Sequence, residues 1–249
     1  MTPADLVLLV GAGFAAGLVG YVTGLASIVS YPALLLVGLS PLSANVTNTV
    51  AMVAVGVGSF AKSGRELIDY VGRRSLAASG AAALLGGAVG AGCLLVAPDA
   101  VFAVLVPYLV GAASVALLVQ PRLRTWIASD ADQPVVWLIG VFAVSIYGGY
   151  FGAGAGVAFV ALALLVTSVP LPKAIIYKSA LLGVANAVAA VGFIVFGPVH
   201  WTAAAAMGIG CLAGGWAGPP VVDRLPVTPL RITIGLAGLG LAVWLAVSS

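Results

Sequence analysis

The stretch that decides the fold of this chain is Tyr147-Gly-Gly-Tyr-Phe-Gly-Ala-Gly-Ala-Gly156, which lies inside a long apolar run. Part of its glycine pattern occurs earlier in the chain. Gly17, Gly20 and Gly24 recur 132 positions later as Gly149, Gly152 and Gly156. Two further matches follow in the same order, residues 68–70 with 199–201 and residues 86–90 with 214–218. Three ordered matches at a nearly constant offset indicate an internal duplication.

The composition around this stretch excludes most classes of protein. Of the 249 residues, 62% are hydrophobic and only 7% are charged, and the mean hydropathy is +1.21. A soluble domain carries about 25% charged residues, so soluble enzymes, nucleic-acid-binding proteins and disordered chains are excluded. The chain is predicted to be a polytopic membrane protein, with the lipid bilayer as its surroundings and no nucleic acid as a partner.

The positions of the few charges divide the chain into spans. Charged residues are absent from 6–61, 75–98, 100–121, 133–172, 179–222 and 232–249. A helix needs about 20 apolar residues to cross the hydrocarbon core. These runs therefore predict an all-α membrane protein with about 8–10 membrane segments.

The duplication divides the chain into two transmembrane repeats, residues 1–121 and 135–249, joined by a polar linker at 122–134. Each repeat is predicted to begin with a glycine-broken helical hairpin, at about 5–39 and 135–170. Three ordinary helices are then expected in each repeat, near 43–62, 75–97 and 100–119, and near 175–196, 203–221 and 228–247.

The basic residues favour an inverted arrangement of the two repeats. If each glycine-broken segment enters the membrane and returns, all ten Lys and Arg residues face one side. Because cytoplasmic loops are enriched in Lys and Arg, we expect inverted repeats, a cytoplasmic linker and both termini outside the cytoplasm. Whether the broken segments cross fully or re-enter is left open.

Broken helices at matching places in two inverted repeats point to a transporter binding site. Helix ends at such breaks expose backbone N–H groups, which favour anions. The glycines predicted to contribute to this site are Gly17, Gly20, Gly24, Gly149, Gly152, Gly154 and Gly156. The alternative is that these glycines serve only close packing between helices.

Four polar side chains within the spans are further candidates for the binding site. Asn45 and Asn48 lie three residues apart, on one helical face, although Asn45 or Thr47 could instead cap the helix. Lys178 lies six residues after Pro172, and Asn186 lies on nearly the same face. Lys178 either attracts an anion within the membrane or extends its ammonium group to the cytoplasmic headgroups.

No catalytic or cofactor motif occurs in the sequence. There is no HExxH and no set of Ser, His and Asp placed for catalysis within the spans, and Glu66 is the only glutamate. An enzyme is therefore not expected, and neither a cofactor nor a metal is predicted. Since no Walker A sequence occurs, ATP is not expected to drive transport directly.

The chain resembles the sulfite exporter TauE/SafE family, also called the 4-toluene sulfonate uptake permease family. The resemblance covers nearly the whole chain and is carried by 13–20, 147–156, Ala44-Asn-Val-Thr-Asn-Thr-Val50, Pro107-Tyr-Leu109, Lys178-Ser-Ala-Leu-Leu182 and Asn186-Ala187. It implies a multi-pass transporter of the bacterial inner membrane. The implied substrates are small anions such as sulfite, sulfoacetate or other sulfonates, bound by the glycines, Asn45, Asn48, Lys178 and Asn186.

The predicted function is therefore secondary transport of a small anion by alternating access. A passive anion channel and a non-transporting membrane scaffold are the alternatives. The sequence leaves open the substrate, the direction of transport, a proton or sodium ion as the coupling ion, and homo-oligomer formation.

Overall fold

The computed structural model describes residues 1–23, 25–126, 132–222 and 227–248, and all of their regular secondary structure is helical. The described helices are α1 (Pro3–Thr23), α2 (Ala26–Leu36), α3 (Pro41–Val71), α4 (Arg73–Val96), α5 (Asp99–Trp126), α6 (Pro134–Tyr150), α7 (Ala155–Val166), α8 (Leu171–Phe196), α9 (Trp201–Val222) and α10 (Val227–Ser248). Within the described residues, four helices are long and apolar enough to cross a bilayer: α1, α4, α5 and α8. The predicted all-α polytopic fold is confirmed.

Proline and glycine set several of the helix boundaries. Proline occupies the first or second position of α3, α6 and α8, where its missing N–H group needs no partner. The turn between α3 and α4 is Gly72, whose φ of 80° is a conformation that L side chains rarely adopt. The six helices expected outside the hairpins all occur, but α3 and α5 continue past their expected ends, to Val71 and Trp126.

Each predicted glycine-broken segment is a pair of helices, although the first pair is unequal. α6 and α7 have 17 and 12 residues, and Gly152 and Gly154 between them have φ angles of 81° and 86°. In the first pair α2 has 11 residues, but α1 continues for 21. The first predicted hairpin is therefore not broken at its early glycines, because α1 remains helical through Gly11, Gly13, Gly17 and Gly20.

The length of α1 follows from its packing against α9. A Cβ atom on Gly17 would lie 2.6 Å from the backbone nitrogen of Gly215, and one on Gly13 would lie 3.1 Å from that of Cys211. Such close approach of two backbones is the usual use of small residues between membrane helices. Packing against α9 thus offsets the low helix propensity of glycine.

Helices α3 and α8 cross at two glycines near their centres and run antiparallel. A Cβ atom on Gly56 would lie 2.7 Å from the Cα atom of Gly183. At one end Ser43 Oγ donates a 2.8 Å hydrogen bond to the carbonyl of Pro198. At the other end Lys173 forms an ion pair with Glu66. The start of each helix therefore lies beside the end of the other.

The remaining helices pair reciprocally between the two predicted repeats. α1 packs along α9 while α6 packs along α4, and α5 packs antiparallel to α10. A Cβ atom on Gly90 of α4 would lie 2.8 Å from the nitrogen of Tyr150 at the end of α6. This reciprocity is what inverted repeats require, and it supports the inverted repeat, which stays a prediction. The boundaries of the two repeats and the linker also stay predictions.

Candidate functional site

A cavity of about 50 Å³ lies where the two hairpins meet α3 and α8. Its walls include Gly20 of α1, Ser27 of α2, Asn48 of α3, Gly152 at the break between α6 and α7, and Lys178 of α8. The cavity thus draws on both hairpins and on the long helix that follows each of them. This is the kind of place at which broken-helix transporters bind their substrates.

Lys178 supplies the positive charge of this cavity. Its side chain is only 2% exposed, and its Nζ donates a 2.7 Å hydrogen bond to the carbonyl of Gly20. The ammonium group therefore lies inside the protein and does not extend to the headgroups. Of the two arrangements left open by the sequence, the structure shows the ammonium group buried within the helix bundle.

The carbonyl of Gly20 is a suitable partner for a buried lysine. It lies in the last turn of α1, where carbonyl groups lack partners within the helix and the helix dipole is negative. A buried ammonium group needs such compensation because removing a charge from water is costly. The bond between Lys178 and Gly20 also joins α8 of one predicted repeat to the hairpin of the other.

Asn48 connects α3 to the short helix α2. Its Oδ1 accepts a 2.5 Å hydrogen bond from Ser30 Oγ, and its Nδ2 donates a 3.1 Å hydrogen bond to Ser27 Oγ. Asn48 and Ser27 line the cavity. The position of α2 beside the cavity is therefore fixed partly by the amide group of Asn48.

The helix-cap role considered for Asn45 and Thr47 is wrong, because α3 begins earlier than expected. Its N-cap is Ser40, whose side chain accepts a hydrogen bond from the nitrogen of Ser43. Thr47 Oγ1 instead accepts a 3.0 Å hydrogen bond from the nitrogen of His200. Thr47 therefore connects α3 to His200, the residue that precedes α9.

Asn45 lies at the second hairpin but is not among the residues that line the cavity. Its Nδ2 donates a 2.9 Å hydrogen bond to the carbonyl of Tyr150, the last residue of α6. Its Oδ1 is buried without a hydrogen-bond partner. Asn45 therefore holds the end of α6, in the way that Lys178 holds the end of α1.

Asn186 lies on the cavity-facing side of α8 together with Lys178, Ser179 and Leu182. Residues three, four and eight positions apart share one face of a helix. The predicted pairing of Lys178 with Asn186 on one face is therefore what the structure shows.

The predicted glycines divide into two groups. Gly20 and Gly152 line the cavity, whereas Gly17 packs against Gly215 and Gly149 packs against Gly87. Gly154 lies beside Ala113 and Gly156 is buried within α7, and Gly24 lies outside the described residues. Gly17 and Gly149 therefore serve close packing between helices, which the sequence offered as the alternative to a binding role.

Sequence reasoning missed several residues of the site. Ser27, Phe151, Gly56 and Gly183 line the cavity, and Ser30 is buried against Asn48. Ser27 and Ser30, three residues apart in a charge-free run, carried a usable signal, because polar residues within a span usually face the bundle interior. Nothing local marks Phe151, which packs edge-on against Tyr31 at 5.5 Å between ring centroids.

The chemistry of the cavity suits an anion. Among the described residues, its lining contains one lysine, two asparagine side chains and the hydroxyl groups of Ser27, Thr49 and Ser179, and no carboxylate. Amide, hydroxyl and ammonium groups can all donate hydrogen bonds. No group of His, Cys, Asp and Glu side chains that could hold a metal occurs in the part of the chain that the structure describes.

A family model described as sulfite exporter TauE/SafE matches residues 9–245, nearly the whole chain. The chain therefore belongs to this family, which implies a membrane transporter of sulfite-like anions. The comparisons with curated proteins and with solved structures each gave no match.

Proposed function

We propose that this member of the family is a secondary transporter that binds a small sulfur oxyanion or organic anion in the cavity between its two hairpins. Lys178 supplies the charge, and Asn48 and Asn186 supply hydrogen bonds. One observation carries this proposal: Lys178 is buried beside the cavity where the two hairpins meet, and its ammonium group donates a hydrogen bond to the backbone carbonyl of Gly20.

The bond between Lys178 and Gly20 gives the anion a defined point of entry. A carbonyl oxygen carries only a partial negative charge, whereas a hydrogen bond between an ammonium group and an anion is charge-assisted and stronger. An incoming anion would therefore compete with the carbonyl of Gly20 for the ammonium group. Its arrival would weaken the connection between α8 and the first hairpin.

The size of the cavity favours a compact substrate. About 50 Å³ corresponds to the space of a few water molecules on the same measure. Sulfite fits this space more readily than a sulfonate with an organic group, which would require α3 and α8 to separate. The proposed order of preference is therefore sulfite first and larger organosulfur anions second.

Alternating access is the proposed mechanism. The cavity is formed by helices of both predicted repeats, so that rocking of one repeat against the other would open it to one side at a time. Gly56 and Gly183 place the two long helices in close contact at the cavity wall. A proton or a sodium ion is proposed as the coupling ion.

Flux into proteoliposomes tests the proposal. We expect saturable uptake of radiolabelled sulfite by the purified protein. Lys178→Met should reduce the apparent affinity by roughly tenfold to hundredfold, because it removes a hydrogen bond to a charged partner. Lys173→Met is the matched control: Lys173 lies on the same helix but is partly exposed and paired with Glu66.

The result that overturns the proposal is unchanged affinity in a folded Lys178→Met protein. Elution volume and unfolding temperature in detergent establish folding, and Lys178→Gln provides a second variant that keeps hydrogen-bonding capacity. Flux that does not saturate would identify a passive channel. Absence of flux across sulfite, sulfoacetate and other sulfonates would favour a scaffold.

A further inference from the structure

A second, larger cavity of about 490 Å³ opens on the side of the bundle, and the crossing of α3 and α8 at Gly56 and Gly183 lies between it and the first cavity. It is a groove between α3 and α4, with the middle of α8 as its floor. Val57 and Phe60 of α3 form part of its wall and are 57% and 45% exposed. We call this the α3–α4 groove.

The described lining of the α3–α4 groove is apolar. Among the side chains that the structure describes, it consists of valine, leucine, alanine, glycine and phenylalanine, with no polar or charged residue. Its floor lies at Ala180–Ala187, in the centre of a helix that is long and apolar enough to cross the bilayer. At that depth the surroundings are hydrocarbon, so an acyl chain is the molecule that fits the groove.

Basic residues continue both walls of the groove towards the turn at Gly72. On α3, Arg65 follows the wall residue Ala61 by four positions. On α4, Arg73 precedes the wall residue Leu76 by three. Residues three or four apart lie on the same helical face, so both arginines lie on the faces that form the groove. Both side chains are exposed.

The local charge balance at this end is positive. Neither Arg65 nor Arg73 forms an ion pair among the described residues, where the ion pair that does occur joins Glu66 to Lys173. Asp69 is the remaining acidic residue of this end of α3, and Arg74 adds a further positive charge. Arginine binds phosphate groups well, because its planar donors match the phosphate oxygens.

We propose that the α3–α4 groove is a binding site for an anionic phospholipid. One acyl chain lies along Val57, Phe60 and Gly80, and the phosphate group lies on Arg65 and Arg73. Basic pockets between membrane helices bind lipid headgroups in this way. An apolar groove that ends in basic residues matches a phospholipid in both of its parts.

Lipid retention by the purified full-length protein tests this proposal. Native mass spectrometry and unfolding temperature are measured with phosphatidylglycerol and with phosphatidylcholine of the same acyl chains. We expect phosphatidylglycerol to be retained and to raise the unfolding temperature. The double variant Arg65→Gln/Arg73→Gln should lower its retention by about tenfold or more.

Two matched controls separate the headgroup from the acyl chain. Arg74→Gln removes the neighbouring charge, but Arg74 lines a cleft facing Trp137 on the other side of α4, so retention should not change. Gly80→Leu should fill the groove and abolish retention, because a Cβ atom there meets nothing within 4 Å. Gly92→Leu lies in equally open space on the same helix and should retain the lipid.

Four outcomes overturn the proposal. Equal retention of the two lipids would exclude selection of the headgroup. Equal stabilisation by glycerol phosphate would show a free-phosphate site instead. A change of oligomeric state in Gly80→Leu, without a change in lipid retention, would show that a second copy of the chain occupies the groove. Retention of phosphatidylglycerol by a Gly80→Leu protein of unchanged oligomeric state would place the lipid elsewhere.

Discussion

At the scale of single residues, the two asparagines of the cavity, Asn48 and Asn186, are expected to differ in how much each contributes to stability. Asn48 holds Ser27 and Ser30 through two hydrogen bonds. Asn48→Ala should lower the free energy of unfolding by about 1–3 kcal/mol, because buried partners are left unsatisfied. Denaturant titration in detergent micelles measures this change. An unaltered unfolding midpoint in Asn48→Ala would show that α2 is held by other contacts.

Asn186 provides the contrasting case on the opposite wall. It lines the cavity and is only partly buried. Asn186→Ala should therefore leave the unfolding free energy nearly unchanged and raise the apparent KM for sulfite about two- to tenfold, as expected for the loss of one hydrogen bond. A loss of stability without a change in KM would assign Asn186 a structural role instead.

Among helical elements, Gly90 is one of the glycines that let α4 and α6 approach each other closely. A Cβ atom on Gly90 would clash with backbone atoms of Ile146 and Tyr150, whereas one on Gly92 meets nothing within 4 Å. Gly90→Ala should destabilise the protein by about 1–3 kcal/mol through overpacking. Gly92→Ala should be neutral or stabilise it by about 0.5–1 kcal/mol. Unfolding in micelles compares them, and equal stabilities would contradict this packing.

The second hairpin break gives a test of its role in transport. Gly154 and Gly38 have similar positive φ angles, 86° and 89°, so that the backbone strain of alanine should cost about 1–2 kcal/mol at either position. At Gly154 the added Cβ atom would also lie 3.1 Å from the Cβ atom of Ala113, whereas at Gly38 it would meet nothing within 4 Å. Only Gly154 lies at the break beside the cavity. Gly154→Ala should therefore slow sulfite flux, while Gly38→Ala should change stability alone. Equal flux in the two variants would show that the conformation at this break does not affect transport.

The sequence predicts the positions of the helices better than it predicts the roles of individual glycines. Charge-free runs and prolines placed the straight helices, because the bilayer requires about 20 apolar residues per crossing. Glycines could not be assigned in the same way. Gly17 packs on Gly215 while Gly20, one turn later, lines the cavity. Their local sequences are alike, and only the partner helix, distant in the chain, decides which role each glycine has.

Lys178 and Asn45 show the same limit within the candidate site. The sequence identified both residues as unusual polar groups within spans, but their partners are the carbonyl groups of Gly20 and Tyr150 in the opposite predicted repeat. Backbone carbonyl groups carry no sequence signal. Which polar residue faces the cavity, and which only holds a helix end, therefore depends on tertiary packing that periodicity does not encode.

At the scale of the whole molecule, the reciprocal contacts have a consequence for how motion can occur. α8 holds the end of α1 through Lys178, and α3 holds the end of α6 through Asn45. Each hairpin is thus attached to the long helix of the opposite predicted repeat. A change at Lys178 would reach the first hairpin directly, and this would connect the proposed anion binding to the proposed movement between the two predicted repeats.

The orientation of the whole molecule in the membrane can be predicted from the position of its basic residues. The end that carries Arg65, Arg73, Arg74 and Lys173 should face the cytoplasm, because Lys and Arg are enriched there. Since α3 and α8 run antiparallel, the turn at Pro198 lies at the opposite end. The N-terminus lies there too, because α1 runs alongside α9, which begins at Trp201.

Cysteine labelling in intact cells measures this orientation. Exposed Cys93 is first replaced by serine, and Thr2→Cys and Asp69→Cys are then introduced separately at exposed positions of opposite ends. An impermeant maleimide should label Thr2→Cys in intact cells and Asp69→Cys only after lysis. Labelling of Asp69→Cys alone from outside would show that the protein has the opposite orientation in the membrane. Labelling of both from outside would contradict the placement of these positions on opposite sides of the membrane.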